Sequence, residues 1–490
     1  MAPVTSILLQ NGTLLIHDYK DHVKALKANL LVVGNIITEI GPSISAPSSE
    51  TIVIDCTDKI ISPGFVDTHH HLWQTQLKGR HANDLLLDYF PKGNFTSSLF
   101  TPKDIFWGEL GGCMEAIDSG TTMVVDHAHM NYSAEHSTSA ISATASSGIR
   151  SYFCYSPTGR IASWSPFEMA ASFMPDWVQA QLVDLAAKQP FGDGRIRLGF
   201  AFDGFFLPKD MIVGLYEQVR GLGIKLITSH YCRNAIMGTN SHVALLSSYG
   251  LLKDDILFSH ANGALPEDAV QLAAANAHVS STPDTELQTA MGSPVCFRPD
   301  MHKVASLGVD CHANNSGDIL SQMRLALQNA RGAYNQPFVE AGKAPRVVSN
   351  TVEDAYNLGT IMGARAVGMG AEIGSIAVGK LADLVLFDGQ SPSMVCAAAH
   401  DPVAAIVLHA SVRDIDTVIV DGQIRKAGGK LKAVELAEEG KLREWKDVAT
   451  ELLKSRERIE EEAGKLDMEA ARKGTMAAFH IDPANILDHL

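Results

Sequence analysis

Residues 62–79 read SPGFVDTHHHLWQTQLKG, and three consecutive histidines, His69, His70 and His71, end the short apolar run in this stretch. Side chains two residues apart on a strand point to the same face, so His69 and His71 project together and His70 projects the other way. If residues 65–67 form a strand of a parallel barrel, the pair lies at its C-terminal end, where barrel enzymes carry their active sites. Two imidazoles held there need a cation, a proton or a hydrogen-bond partner.

The same event recurs three times further along the chain. The run IKLITS ends in His230, DILFS ends in His260, and KVASLGV ends in Asp310. In a barrel these strand ends converge on one rim. Imidazoles with a carboxylate are the ligands of Zn²⁺ or a related divalent ion, and this pattern predicts one such ion, Zn²⁺ first, with Fe²⁺ or Mn²⁺ as the alternatives.

The order of strand-like and helical segments along the chain predicts an α/β fold. Apolar runs of strand length alternate with helical stretches between about residues 60 and 370, which favours a (β/α)8 TIM barrel. Short strands with turn signals such as Asn11-Gly12 and Gly34-Asn35 precede it, and strands return after it. We therefore predict a small composite β-sandwich domain from residues 1–60 and 371–430, a barrel from 61–370, and a helical extension from 431–490. Residues 434–473 carry an amphipathic helix pattern that includes Leu442 and Trp445.

The composition of the chain limits the kinds of molecule that it could bind. The net charge is -15 and no run of Lys or Arg stands out, which argues against nucleic acid and anionic membranes as partners. Seven cysteines without a CxxC pair indicate a reducing compartment, and we find neither a signal peptide nor an apolar run long enough to span a membrane. We expect a soluble, cytoplasmic homo-oligomer that acts on a small molecule.

Five segments together resemble the amidohydrolase superfamily, in its branch of cytosine deaminases, guanine deaminases and s-triazine hydrolases. They are PGFVDTHHHLWQT, SGTTMVVDH, LGVDCHANNSGDILSQMRLALQNAR, NLGTIMGARAVGM and IGSIAVGKLADLVLFD, which begin at residues 63, 119, 307, 357 and 373. The resemblance covers nearly the whole chain and implies a TIM barrel with a composite β-sandwich.

The resemblance also implies a site. The metal ligands would be His69, His71, His230 and Asp310. His260 would match the sixth-strand histidine that orients the attacking water or the substrate. Asp310 would both ligate the ion and accept the proton of that water, which makes Asp310 and His260 the predicted catalytic residues.

One position departs from the family pattern. Deaminases of this branch carry His-x-x-Glu after the fifth strand, but in SHYCRNAIMG the position of that Glu is Arg233. A guanidinium cannot perform the proton transfer of a carboxylate, so simple purine or pyrimidine deamination is in doubt. Arg233 either binds an anionic group of the substrate or stabilises its own loop.

Other polar residues follow apolar runs and are candidate substrate contacts. His127 and His129 end a run that we assign to the third strand, Asp203 ends RLGFAFD, and His312 follows Asp310 by two residues. Trp73 and Gln74 follow the histidine triplet, where relatives line the substrate pocket, and Glu286 lies in the predicted seventh-strand loop.

The sequence therefore predicts a metal-dependent hydrolase that cleaves a C–N bond of a small cyclic or heteroaromatic compound, with an anionic substrate as one option. The alternatives on the same scaffold are lactam, lactone or halide hydrolysis, or a lyase reaction. From another class, the alternative is a catalytically silent structural relative.

Overall fold

The computed structural model describes residues 5–436, 440–487 and 489. Its centre is a parallel sheet of eight strands. Along the sheet these are β6 (Phe65–His70), β7 (Thr121–Ala128), β8 (Arg150–Tyr155), β11 (Ile196–Ala201), β12 (Ile227–Cys232), β13 (Ile256–Asn262), β14 (His278–Ser281) and β15 (Ala305–Leu307).

The sheet closes at its two edge strands. Just beyond β15, Asp310 N donates to His69 O at 2.8 Å, and His71 N donates to Asp310 O at 3.0 Å. These bonds join the last strand to the first and confirm the predicted barrel. They also place the ligand candidates His69, His71 and Asp310 side by side at the closure.

Six of the eight barrel strands are buried along their whole length, among them β6 and β7, while β11 and β12 each contain one half-buried residue. Parallel strands covered on both faces have no solvent side, which explains the continuous apolar runs of the sequence. One assignment is wrong: the run that ends in His127 is the second strand, because β7 pairs with β6 and β8. The third strand is β8, which contains SYFCY.

A nine-stranded sheet is built from both ends of the chain, as predicted. Its strands are β1 (Ser6–His17), β2 (Val23–Val33), β3 (Ile36–Gly41), β4 (Ile52–Asp55), β5 (Lys59–Pro63), β16 (Leu384–Asp388), β17 (Ile415–Val420), β18 (Gln423–Ala427) and β19 (Lys430–Leu431). The two ends meet where β5 pairs antiparallel with β16.

The two turn signals of the first strands have different outcomes. The turn at Gly34-Asn35 is confirmed, since it joins β2 to β3. The hairpin turn at Asn11-Gly12 is wrong, because both residues lie inside β1 at a shift in its register with β2. Asn11 has a φ of 65°, so the pair forms a bulge with the left-handed residue that a turn would also use.

Two hairpins lie outside the large sheets. They are β9 (Ile161–Trp164) with β10 (Phe167–Met169), and β20 (Val434–Leu436) with β21 (Lys441–Arg443).

Helices alternate with the barrel strands, and further helices follow between β16 and β17 and after β21. They are α1 (Leu86–Lys92), α2 (Pro102–Asp118), α3 (Ala134–Ser147), α4 (Asp176–Lys188), α5 (Lys209–Gly221), α6 (His242–Ser248), α7 (Pro266–Ala275), α8 (Pro283–Gln288), α9 (Ile319–Glu340), α10 (Val352–Leu358), α11 (Ile361–Ala366), α12 (Val395–His400), α13 (Pro402–Ala404), α14 (Trp445–Ala463) and α15 (Met468–Ala478). In the described part of the chain, no helix combines the length and the apolar character that crossing a membrane requires.

The C-terminal segment differs in part from its prediction. Leu442 lies in β21 and is exposed, and the helix begins only at Trp445. Helix α14 then packs on the barrel, where Leu452 lies against Gly111 of α2 and Ser455 Oγ donates to Asp104 Oδ1 at 2.7 Å. The amphipathic pattern thus reflects packing within the chain.

Candidate metal centre

Four side chains from three barrel strand ends converge on one rim. His69 Nε2 lies 3.3 Å and His71 Nε2 lies 3.2 Å from Asp310 Oδ1, and His230 Nε2 lies 3.3 Å from His71 Nε2. We call His69, His71, His230 and Asp310 the rim cluster. Strand alternation explains the first two members, and the convergence of strand ends explains the others.

The protonation of two of these rings is fixed by their outer nitrogens. His71 Nδ1 donates to the carbonyl oxygen of His127 at 2.8 Å, and His230 Nδ1 donates to Asp203 Oδ2 at 2.8 Å. In a neutral imidazole the proton then resides on Nδ1, so both Nε2 atoms carry a lone pair. Two lone pairs that face each other repel unless a cation lies between them. The rim cluster therefore fits a metal ion.

The spacing gives a second test of fit. Donor atoms at about 2.0–2.1 Å from a tetrahedral Zn²⁺ are separated by roughly 3.3–3.4 Å, which follows from the bond lengths and the tetrahedral angle. The measured separations of 3.2–3.3 Å agree with that value. His69 Nε2 is deeply buried and has no hydrogen-bond partner among the described residues, as expected of a nitrogen that serves an ion.

The pKa shifts within the rim cluster also support the binding of a metal ion. Burial lowers the pKa values of His69 and His71, which keeps both rings neutral and able to bind a metal. Burial alone would raise the pKa of Asp310, but its contacts with His69 and His71 hold that pKa well below the ordinary range. The site thus combines the neutral imidazoles of His69 and His71 with an ionised carboxylate. Burial alone would lower the pKa of His230, but the charge and hydrogen bond of Asp203 raise it.

His260 lies beside the rim cluster. Its ring centroid is 5.2 Å from that of His69 and 5.6 Å from that of His230. Its Nδ1 bonds to Thr282 Oγ1 at 2.9 Å, with Glu286 Oε1 3.7 Å away. His260 and Asp310 both have positive φ, 73° and 65°, a conformation rare for residues other than glycine and often found at functional sites.

The second barrel strand adds two imidazoles, as the alternation predicts for His127 and His129. The ring of His129 stacks on His71 with centroids 3.9 Å apart, and the ring of His127 lies 4.2 Å from that of His230. His127 Nε2 is 3.3 Å from Asp203 Oδ2. Asp126, which precedes His127 in β7, points the other way, towards the buried Glu109.

His70 faces the back of the strand, as predicted. Its Nδ1 donates to Asp67 Oδ2 at 2.7 Å, and its Nε2 bonds to His312 Nδ1 at 2.6 Å. His312 Nε2 in turn bonds to Thr75 Oγ1 at 3.0 Å. We call Asp67, His70, His312 and Thr75 the back chain. Both ring nitrogens of His312 are engaged in it, so none is left to contact a substrate.

Arg233 stands at the position of the missing Glu and is bound by its own surroundings. Its Nε donates to Thr239 O and its Nη1 donates to Gly263 O, each at 2.8 Å. These contacts agree with the second of the two readings, in which the guanidinium stabilises its loop.

Trp73 and Gln74 are fully buried next to the site. The indole of Trp73 lies 5.7 Å from the ring of His129, and Gln74 Nε2 donates to Tyr89 Oη at 2.7 Å. Sequence reasoning missed Tyr89, which lies on α1 and whose Oη accepts a hydrogen bond from Cys311 Sγ at 3.2 Å. A buried tyrosine on a helix shows no pattern that distinguishes it from ordinary core.

Comparison with known proteins decides the family. Residues 60–172 and 225–425 match the model of the amidohydrolase family. The chain belongs to the amidohydrolase family. The resemblance drawn from the five segments is thereby confirmed, and so is the prediction of a metal-dependent hydrolase that acts on C–N bonds.

This amidohydrolase is similar over most of its length to curated deaminases. It is 27% identical to a 5-methylthioadenosine/S-adenosylhomocysteine deaminase of Moorella thermoacetica over 89% of this chain and 95% of the relative. It is 29% identical to a 5'-deoxyadenosine deaminase of Methanobrevibacter smithii over 84% of this chain and 91% of the relative.

Solved structures share the fold. An adenosine deaminase from Xanthomonas campestris with bound zinc superposes with a TM-score of 0.75 at 20% identity, over 93% of this chain and 98% of the other. An atrazine chlorohydrolase from Arthrobacter aurescens, complexed with zinc, gives 0.74 at 18% identity, over 92% and 100%.

Proposed function

We propose that the protein is a zinc-dependent aminohydrolase that removes the exocyclic amino group of an adenine nucleoside altered at its 5' position. The observation that carries the proposal is the rim cluster, whose spacing and fixed lone pairs fit one tetrahedral ion. The substrate class is supported by the similar deaminases, whose names specify 5-methylthioadenosine, S-adenosylhomocysteine and 5'-deoxyadenosine.

In this proposal His69, His71, His230 and Asp310 hold the ion. When bound, Zn²⁺ lowers the pKa of a water molecule to about 7, so that a nucleophile is available at neutral pH. Zn²⁺ suits three imidazoles and a carboxylate better than a hard ion does, while Fe²⁺ and Mn²⁺ remain the alternatives.

Two residues of the chain then move or hold protons. Asp310 directs Oδ1 towards the imidazoles, which leaves Oδ2 to accept the proton of the attacking water. His260 is held through Nδ1 by Thr282, so its Nε2 side is available to orient the water or to bond the developing charge at the substrate carbon.

Contacts to the substrate ring are proposed for Trp73 and Gln74. The indole Nε1 of Trp73 and Oε1 of Gln74 are buried and lack partners among the described residues, so they offer one donor and one acceptor. Arg233 and His312, which the sequence also suggested, have ring or guanidinium nitrogens already bonded to protein groups and are left out of this set.

A second candidate function follows from Arg233. A carboxylate at this position would protonate a leaving amine, whereas halide leaves as an anion without a proton. Hydrolysis of a halogenated heterocycle is therefore the alternative, and the fold shared with atrazine chlorohydrolase is compatible with it.

A substrate panel separates the two. Purified protein with added Zn²⁺ is incubated with 5'-deoxyadenosine, 5'-methylthioadenosine, S-adenosylhomocysteine and a chloro-s-triazine, while ammonia and chloride release are measured. The proposal predicts ammonia from at least one nucleoside and no chloride. Chloride release alone would favour the alternative, and neither product from any of the four would contradict both.

We also propose the cytoplasm as its location and a homo-oligomer as its assembly. All seven cysteines are free, and six of them are buried, as suits a reducing compartment.

A further inference from the structure

Asp203 serves one metal ligand with both of its oxygens. Asp203 Oδ1 accepts the backbone N–H of His230, and Oδ2 accepts the ring Nδ1–H of the same residue, each at 2.8 Å. Asp203 follows β11 and His230 lies in the adjacent strand β12, so the two bonds connect neighbouring strand ends. The sequence suggested Asp203 as a substrate contact, but its hydrogen bonds are directed to a ligand.

A second metal ion is the competing reading, because His127, Asp203 and His230 could also hold one. The separation between Asp203 and His230 argues against it. His230 Nδ1 lies 2.8 Å from Asp203 Oδ2, which is the distance of a hydrogen bond, whereas the atoms of the rim cluster are 3.2–3.3 Å apart. A second ion would also require His230 to lose its Nδ1 proton and bridge two metals.

The second barrel strand supports the same arrangement. His127 Nε2 lies 3.3 Å from Asp203 Oδ2, and the carbonyl oxygen of His127 accepts Nδ1–H of His71. His127 therefore bonds the outer nitrogen of His71 directly, and it lies next to Asp203, which bonds the outer nitrogen of His230.

We propose that Asp203 is a positioning residue that fixes the Nδ1–H tautomer of His230 and directs its Nε2 lone pair at the ion. This rests on the proposed function, since it assumes that His230 binds a metal. A carboxylate behind a ligand imidazole fixes the ring orientation and makes the nitrogen more basic, and its loss typically lowers metal affinity about 10–100-fold.

Asparagine at 203 gives the sharpest test. The amide of Asp203→Asn can accept only one of the two N–H groups of His230, and its NH₂ must face the other. If the NH₂ faces Nδ1, it favours the Nε2–H tautomer and removes the lone pair from the ion. Asp203→Ala removes the bond without this opposition and leaves Nδ1 to water, since the Asp203 side chain is 37% exposed.

The matched control is another carboxylate–histidine pair away from the rim cluster. His81 Nδ1 lies 3.1 Å from Asp84 Oδ2, so Asp84→Asn makes the same chemical change without touching a proposed ligand. The experiment uses full-length apo-protein prepared with a chelator. The dissociation constant of Zn²⁺ is measured by competition with a fluorescent zinc indicator, and the tautomer of His230 is read by ¹⁵N NMR.

The expected result is a dissociation constant raised about 10–100-fold in Asp203→Asn, raised less in Asp203→Ala, and unchanged in Asp84→Asn. Equal zinc affinity in wild type and both Asp203 variants would overturn the inference, and a higher KM in those variants would then assign Asp203 to the substrate. A second zinc equivalent that only wild type binds would overturn it in favour of two ions. If wild type itself bound no zinc, the proposed function would fail first.

Discussion

The two faces of the first barrel strand use the same kind of side chain for different purposes. On the front, the rim cluster sets its donor atoms 3.2–3.3 Å apart, and His69 Nε2 has no hydrogen-bond partner within the described residues. On the back, the bonds that His70 makes within the back chain are 2.6 and 2.7 Å long. Both nitrogens of His70 and of His312 are paired with protein atoms.

The difference teaches how to read a run of histidines. All three side chains of the triplet are buried, so burial does not separate ligand from structural residue. What separates them is the spacing at the inner nitrogen, which is 3.2–3.3 Å to the next donor atom in the rim cluster and 2.6–2.7 Å along the bonds of His70. Lone pairs left facing one another indicate an ion, and a closed chain of bonds indicates a structural role.

The largest predicted difference between the two faces concerns His71 and His312. His71→Ala should lower zinc affinity by more than about 100-fold, beyond the effect of losing an outer partner. It should lower kcat/KM about a thousand-fold or more, because several kcal/mol of transition-state stabilisation depend on the ion. His312→Asn should keep its zinc, as measured by elemental analysis after dialysis. Equal loss of zinc in the two variants would remove the distinction between the faces.

A His260 variant tests whether His260 belongs to the rim cluster. His260→Ala should lower turnover by roughly 10²–10⁴-fold, the range for a lost acid–base group, while zinc affinity stays close to wild type. Steady-state kinetics and zinc titration of the same preparation give both values. If His260→Ala lost zinc as fully as His230→Ala does, His260 would be a fifth member of the rim cluster.

Two buried carboxyl groups behind the second barrel strand, those of Asp126 and Glu109, predict that the free energy of unfolding depends on pH. Burial, above all, raises the pKa of Asp126 to about 7, and it raises the pKa of Glu109 as well. A raised carboxyl pKa means that the unfolded chain releases the proton first. The contribution of this group to stability is therefore fully present below about pH 4 and is lost as pH rises towards 7. For Asp126 the loss is on the order of 3–4 kcal/mol.

Asp126→Asn should remove most of this slope, because an amide stays neutral and can still accept from the backbone N–H of Leu72. Urea unfolding of the metal-free wild type and variant between pH 5 and pH 8 measures the slope of stability with pH. A slope unchanged by the substitution would show that other groups cause it.

The smallest effects concern two glycines. A Cβ at Gly308 would lie 2.7 Å from His69 O, at the closure of the barrel, so Gly308→Ala should cost about 1–3 kcal/mol. Gly332 in α9 has nothing within 4 Å of that position, and Gly332→Ala should stabilise by roughly 1 kcal/mol. Thermal unfolding compares them. A neutral Gly308→Ala would mean that the closure tolerates movement next to His69.

Much of this architecture could be predicted from the sequence. Strand-end polar residues located the rim cluster because side-chain alternation and the shared direction of parallel strands are simple rules, and β6, β12 and β15 follow them. The strand number of His127 was wrong because the count of strands depends on pairing, which no single stretch encodes.

Other features could not be predicted for a related reason. The bonds from Asp203 to His230 and from His312 to His70 join residues far apart in sequence, so only the folded chain shows which polar atoms are already paired. The same holds for Arg233, whose cationic charge suggested a substrate contact, while its partners Thr239 O and Gly263 O are backbone atoms without a sequence signal.

The most direct test of the rim cluster is X-ray absorption at the zinc edge of the wild-type protein loaded with one equivalent of Zn²⁺. The account predicts a shell of nitrogen and oxygen atoms at about 2.0–2.2 Å, with the multiple scattering of three imidazoles. A sulfur atom at about 2.3 Å, which would come from a cysteine such as Cys232 or Cys311, or a shell with fewer than three imidazoles, would contradict it.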